Sequence, residues 1–433
     1  MDCLSEEAVA LADGRRLRYF RSDRDDGGED GGPSPETAVH RGEKGEGGGT
    51  AAHSETSSSS PRSTDRSETG ECRGPAAHPD RRETGPPPRQ GERRWDVLRR
   101  EWVVVSASRN GRPLLPVDCP LCPTPVAPPE PRTGECGSRA PSPASGLTEI
   151  PAPGYDIAVF DNRFPSLTGT GSPDGKPSEH FAEMGLSRPA NGHCEVVCFS
   201  DDHDATLSSL STERIADIVA VQARRSEELL GRDDVREVAC FENHGVDIGV
   251  TLHHPHGQIY AYPYTTPDTE RVLESAAAYL EHRGRNLFED LIAAETVGPR
   301  VVARSEDWIA FVPYSARWPC ELRICPLDPV SDLPGLSGRQ RRSFAEMYRR
   351  LLRALESVLG ADVPYMAAWR QAPRDGDPRT AEAWRLSHQL VSPRRAPGKI
   401  KYLASSESLM GAFVNDVVPE EIAARLAEAY AAA

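Results

Sequence analysis

Lysine is nearly missing from this chain. Of 51 basic residues in 433, lysines stand only at 44, 176, 399 and 401, so arginine carries the positive charge. Arginine's planar fork suits phosphate, although the base composition of the gene accounts for most of the excess. Basic residues are also outnumbered: 66 acidic residues leave a net charge of −15, which excludes a protein that coats nucleic acid. No apolar run approaches the roughly 18 residues of a membrane-spanning helix, and the N-terminus has no basic-then-apolar leader pattern. The ten cysteines are scattered singly, apart from Cys119-Pro-Leu-Cys122. That pattern excludes a secreted disulfide framework. The expectation is a soluble cytoplasmic protein that binds neither nucleic acid nor membrane.

Apolar side chains are the next thing to run out. Between Asp23 and Arg94 the only large aliphatic or aromatic residue is Val39, among Gly, Ser, Pro, Glu and Arg. Such a stretch cannot offset its own ordering entropy, so 23–94 reads as a disordered insertion. It follows a short N-terminal hairpin within 1–22, turning at Asp13-Gly14. Order resumes at Trp95 and runs into the strand Glu101–Val105, before a second Pro-rich loop over roughly 123–148.

The remainder, long enough for two domains, shows a degenerate duplication. In 95–295, strands at 155–160 and 195–199 lead to a helix starting near Ser211. In 296–433, strands at 308–312 and 320–325 lead to a helix starting near Ser337, with Phe344, Met347, Tyr348, Leu351, Leu352 and Leu355 at helical spacing. Each helix stops at a glycine, Gly231 and Gly360. Each is followed by an apolar strand, around 236–241 and 364–369, and then by a histidine-containing strand. Strand–strand–helix–strand–strand, twice over, predicts an α+β fold of two tandem modules with antiparallel sheets flanked by helices.

Chemistry concentrates in Thr251-Leu252-His253-His254-Pro255-His256-Gly257-Gln258-Ile259-Tyr260, where three of the twelve histidines fall within four positions. Alternation along an extended strand would put His254, His256 and Gln258 on one face. Gly257 would let a bulky group approach the backbone. Three clustered histidines beside Gly and Gln make poor core filler. A neutral imidazole is a metal ligand or a nucleophile, and this strand has room for one of each. His256 reads as the nucleophile, because bare carbonyls next to Pro255 can fix one ring nitrogen as N–H. Cys119 and Cys122 present two thiols at metal spacing.

Phe241-Glu242-Asn243, Gly249 and His254-Pro255-His256-Gly257-Gln258 resemble the signature of galactose-1-phosphate uridylyltransferases, in the histidine-triad superfamily. The likeness extends over most of the chain from Trp95 onward. It implies that the two modules are histidine-triad-like, and that His256 becomes covalently uridylylated. It also implies that His254 closes a Cys₂His₂ zinc site with Cys119, Cys122 and His203, one structural zinc per chain. Gln258 stands where histidine-triad hydrolases carry a third histidine. An amide cannot titrate, so it donates hydrogen bonds to phosphoryl oxygens without moving a proton.

The resemblance further places Asn162 in a uridine-contacting loop, with Arg163 where an acidic residue is frequent. Ser108-Arg109-Asn110-Gly111-Arg112-Pro113 reads as a phosphate-contacting arginine turn or as a solvated turn, with Arg109 and Arg112 as its contacts. Asn243 reads as a phosphate or ribose contact, and Thr251 keeps a hydroxyl where the family often has serine. Lys401 and Glu407 match residues that reach the hexose across a homodimer interface. The family's second metal site maps onto Val272, Arg370, Ser387 and Gln389, so no iron is expected. By the same alignment Ser387 and Gln389 fall where His254 and His256 stand. The implied activity moves UMP from UDP-glucose to galactose-1-phosphate. The alternatives are an ADP-sugar phosphorylase on the same fold and a non-catalytic, zinc-stabilised binding module.

Overall fold

The computed structural model describes residues 4–11, 13–22, 91–111, 119–123, 149–168, 176–177, 184–374 and 377–433. The 23–94 insertion, except for its last four residues, lies outside the described residues, as does nearly all of the Pro-rich loop.

The two helices form where the sequence places them. Ser211 caps Thr212–Leu230, its hydroxyl accepting from the Arg214 amide, and Ser337 caps Gly338–Leu359 in a reciprocal box with Gln340. Apolar residues at helical spacing bury one stripe of each: Ile215, Ile218, Val219 and Leu229 on the first, Phe344, Met347, Leu351 and Leu355 on the second. Both stripes share one core with the inward side chains of the sheet behind them. The last helix, Pro419–Ala432, adds Ile422 and Leu426 to that core.

The sheet has eleven strands, and every neighbouring pair is antiparallel. From one edge the order is Leu4–Ala10, Arg16–Ser22, Ile157–Asp161, His193–Cys198, His256–Tyr262 and Glu237–His244. It continues with Tyr365–Arg370, Ser387–Ser392, Cys320–Pro326, Trp308–Phe311 and Val301–Arg304. The two halves meet at Glu237–His244 against Tyr365–Arg370, where His244 stands opposite Tyr365. A smaller four-stranded sheet is built on Glu92–Asp96 and Glu101–Val105.

Register corrects one reading. Gln258 pairs with Val196 and Phe241, and Gln389 pairs with Arg323 and Ala368. In both strands the intervening residues, Ile259 and Ala261 or Leu386 and Leu390, face the helices. Ser387 opens its strand as His256 opens the other, so by their strand ends Ser387 and Gln389 take the places of His256 and Gln258 rather than those of His254 and His256. His388 turns inward instead. Its ring lies among Phe344, Tyr348 and Trp369, with centroids 4.7–5.3 Å away, and burial pushes its imidazole down to about 3. It is a neutral packing residue.

Glu242 is the costly group at the junction. It is buried, accepts a 2.9 Å hydrogen bond from the Tyr365 hydroxyl, and burial pushes its carboxyl up to about 8. The folded pKa lies above its ordinary value of 4.5, so the unfolded chain ionises first as pH rises. The group costs nothing below the lower value. Across the window between the two values it costs about 1.4 kcal/mol per pH unit, and the penalty is constant above. Glu242→Gln keeps an acceptor for Tyr365 and cannot ionise. Stability of the wild type, read by denaturant titration, is expected to fall from about pH 5 to pH 8 relative to the variant. Parallel curves would show that Glu242 is ionised in the fold.

Candidate active site

Pro255 organises the site. It has no N–H for the ladder, and the strand starts one residue later, at His256. His254 therefore lies outside the strand's alternation, and the expected common face holds for His256 and Gln258 only. The His254 ring is buried, while His256 and Gln258 line an open pocket of ≈80 Å³ together with Phe160, Asn162, Phe164 and Thr251. The Pro255 carbonyl accepts from the Phe199 amide at 3.0 Å, which ties this bend to the neighbouring strand.

The His254 carbonyl does the chemical work. His256 Nδ1 lies 2.7 Å from it, so Nδ1 carries the proton and the ring's lone pair sits on Nε2. Orientation and tautomer are thus set by one backbone oxygen.

The His254 ring is fixed just as firmly. Its Nε2 lies 2.8 Å from both the Ser200 carbonyl and the Tyr155 hydroxyl, and that hydroxyl donates onward to the Leu121 carbonyl at 3.1 Å. Nε2 is therefore the protonated nitrogen, and the Nδ1 lone pair faces the cysteines. Burial pushes the imidazole down to about 4, which keeps it neutral. The ligand atoms of Cys119, Cys122, His203 and His254 lie within 4.8 Å of one another, and among the described residues no other such group of metal-ligating side chains occurs. Cys122 Sγ is 3.3 Å from His203 Nδ1 and 3.6 Å from His254 Nδ1. Burial, and then Cys119 beside it, pushes the Cys122 thiol up to about 12. A thiol so disfavoured as thiolate beside two imidazole lone pairs is the donor set of a cation site. The cluster can hold a metal ion.

The other expected contacts are spread around this centre. Asn162 lines the pocket, its side-chain oxygen accepting from the Phe164 amide at 2.8 Å. Thr251 lines it too. Asn243 is exposed on the adjacent strand, next to Glu242, which pairs with Gly257. Arg109 reaches the same strand but bonds Ser166 Oγ at 2.5 Å and the Tyr260 hydroxyl at 3.2 Å. Arg112 lies outside the described residues. Lys401 and Glu407 pair with each other at 3.2 Å, and neither lines the His256 pocket of its own chain.

Sequence reasoning missed three groups. Glu149 lines the pocket and is bridged by Arg15 and by Arg163, the latter at 3.6 Å. Tyr155 orients His254. No local pattern marks Glu149 or Arg15, since they meet across 134 residues. Tyr155 opens an apolar run, and a buried tyrosine hydroxyl usually finds a partner.

An antiparallel sheet in two halves, each backed by one helix, with a histidine at the start of a strand, is the setting of a nucleotidyltransferase, the class to which the chain's relatives belong. The model for the N-terminal domain of galactose-1-phosphate uridyl transferase matches residues 87–266, and that for its C-terminal domain matches 272–432. The chain belongs to this family. A galactose-1-phosphate uridylyltransferase from Streptomyces lividans is 44% identical over 51% of this chain and 58% of its own length. Its counterpart from Thermotoga maritima is 31% identical over 78% of this chain and 98% of its own. A solved uridylyltransferase structure matches with a TM-score of 0.66 at 28% identity, covering 79% of this chain and 99% of the other.

Gly257 is where packing behind the site is tightest. A Cβ there would lie 2.7 Å from Phe199 Cζ and 2.9 Å from the Phe241 carbonyl oxygen. The close approach expected of this glycine is thus made by protein, on the helix side. Gly257→Ala should cost about 1–3 kcal/mol by overpacking and displace the flanking His256 and Gln258. A lower melting temperature with reduced activity is expected, and an unperturbed variant would show that Phe199 yields freely.

Proposed function

We propose that this chain is a ping-pong uridylyltransferase acting on UDP-glucose and galactose-1-phosphate. The observation that carries the reading is the 2.7 Å contact between His256 Nδ1 and the His254 carbonyl, which leaves Nε2 as the nucleophilic nitrogen. Nε2 attacks the α-phosphorus of UDP-glucose, a P–N bond forms, and the P–O bond to glucose-1-phosphate breaks. A phosphate oxygen of galactose-1-phosphate then attacks the same phosphorus and releases His256, giving UDP-galactose.

Gln258 suits this exchange. Both the leaving group and the acceptor are phosphates with second pKa values near 6, so neither needs a proton moved at neutral pH. An amide beside His256 supplies hydrogen bonds to the phosphoryl oxygens and no general base for water. Asn162, Thr251 and Asn243 are the proposed contacts to the nucleotide, with Arg109 and Arg112 at the phosphates. Ser166 and Tyr260 hold Arg109 beside the His256 strand, which supports that role.

The cluster of Cys119, Cys122, His203 and His254 is read as a structural zinc site, one per chain, with no iron elsewhere. Bound there, zinc would lock the bend whose carbonyl orients His256. Lys401 and Glu407 are read as contributions to the hexose site of a partner subunit. Support comes from the exposed apolar side chains around them, with Tyr402 73%, Leu409 64% and Met410 76% accessible. No helix among the described residues is long and apolar enough to cross a membrane, in keeping with a cytoplasmic enzyme.

Incubation with labelled UDP-glucose and no acceptor is expected to leave UMP on His256, as a phosphoramidate stable to alkali and labile to acid. His256→Gly should abolish labelling without unfolding the chain. Label that survives in the variant would remove His256 from the mechanism.

Metal analysis is expected to give about one zinc per chain and no iron. Cys119→Ser should lower the melting temperature far more than it slows transfer by the fraction that stays folded, because a structural site contributes its binding energy to folding. Stoichiometric iron, or zinc-free protein of full stability, would contradict the assignment.

A further inference from the structure

The C-terminal half retains the place of the nucleotide pocket but not its chemistry. Ser387 stands where His256 does and Gln389 where Gln258 does, while Arg323 takes the position of Val196. A serine has no ring nitrogen to form the transferable P–N bond, and His388 next to it is turned into the core. The space in front of these residues is nevertheless open. A cavity of ≈240 Å³ lies there, against ≈80 Å³ at the His256 pocket. Each water in the liquid occupies about 30 Å³, so this cavity has room for a small organic ligand.

Its lining sorts into groups already satisfied and groups that are not. Asp268 is held by Arg370 and by Arg271, and Glu295 receives a two-pronged bond from Arg300 at 3.0 Å. Glu321 is fixed in place, accepting from Gln389 Nε2 and from the Arg317 amide, both at 2.8 Å. Arg323 differs. Its buried Nε has no hydrogen-bond partner, and it makes no ion pair among the described residues. A guanidinium kept without a carboxylate, two residues from a fixed one, is a ready anion ligand. Around it, Glu321 and Gln389 offer hydrogen-bond groups of the kind sugar hydroxyls use, and Phe311 and Trp384 provide apolar walls.

We propose that this cavity is a second, non-catalytic binding site for a monosaccharide phosphate, with Arg323 taking the phosphate and Glu321 and Gln389 the hydroxyls. It goes beyond the uridylyltransferase reading and shares with it only the substrate class. A ligand held here would lie on the same continuous sheet as His256, with two strands between the His256 strand and the one that carries Ser387 and Gln389.

The test is equilibrium dialysis of the full chain with labelled glucose 1-phosphate, in excess UDP to occupy the His256 pocket. One bound ligand per chain is expected, displaced by unlabelled glucose 1-phosphate, more weakly by inorganic phosphate, and not by free glucose. Arg323→Leu should weaken binding at least tenfold. Ser387→Leu, which fills the cavity and keeps the charge, should do the same. Both variants should still take up UMP from UDP-glucose on His256, which certifies their fold. No binding by the wild type in the presence of UDP overturns the proposal, and so does binding that both variants retain or that free glucose displaces equally. Dialysis involves no turnover. An unlabelled His256 would therefore sink the transfer reading and leave this one standing.

Discussion

One hydrogen bond sets the chemistry, from His256 Nδ1 to the carbonyl of His254. Its worth depends on that carbonyl being immobile, and three neighbouring features hold it. Pro255 restricts the backbone on one side, and its own carbonyl is bonded to Phe199. The His254 ring is pinned by Ser200, Tyr155 and the cysteine cluster. The Cys119, Cys122, His203 and His254 cluster thus bears on the His256 ring through the His254 backbone, because it fixes the group that orients that ring.

Behind that bond lies a packing constraint. Ile259 and Ala261 anchor the strand in the core under the helix Thr212–Leu230, and Gly257 lets the Phe199 ring close against the backbone. Arg225 on the helix reaches Glu195 on the neighbouring strand at 2.9 Å, both side chains buried. Breaking such a pair from one side costs roughly 3–5 kcal/mol, so the helix is locked to the strand that pairs with the site strand, Glu195 opposite Ile259. Rigidity on the buried face makes a defined geometry on the open face possible.

Local pattern carried much of this into the sequence. Ser211 and Ser337 as caps, Gly231 and Gly360 as stops and the apolar spacing between them are short-range signals, and the helices stand there. Of the group that can hold a metal, Cys119 and Cys122 mark themselves by spacing, whereas His203 and His254 join them through the family resemblance. What could not be read were relations across the fold. Glu149 meets Arg15 only because a loop end and a hairpin converge, and the pairing of Lys401 with Glu407 is equally invisible in one dimension. His254 was placed on the wrong face because alternation was carried through Pro255, where the ladder has not begun. Ser387 and Gln389 were aligned one step out for a related reason. Likeness of residues gives one alignment, whereas the strand starts, His256 and Ser387, give the other.

Duplication explains why the open faces could diverge while the buried ones did not. Each half completes the other's sheet through Glu237–His244 and Tyr365–Arg370, so inward residues on either side answer to one shared core. A change there is felt by both halves. Outward residues answer only to what binds in front of them. The strand that carries His256 and Gln258 faces a pocket shared with Asn162 and Thr251. Its counterpart carries Ser387 and Gln389 beside an arginine, before a larger cavity. Keeping a pocket while losing its nucleophile costs the fold nothing, since no packing atom is removed from the core. That is the physical condition under which one half of a duplicated enzyme can keep the reaction and the other can be left to hold a ligand.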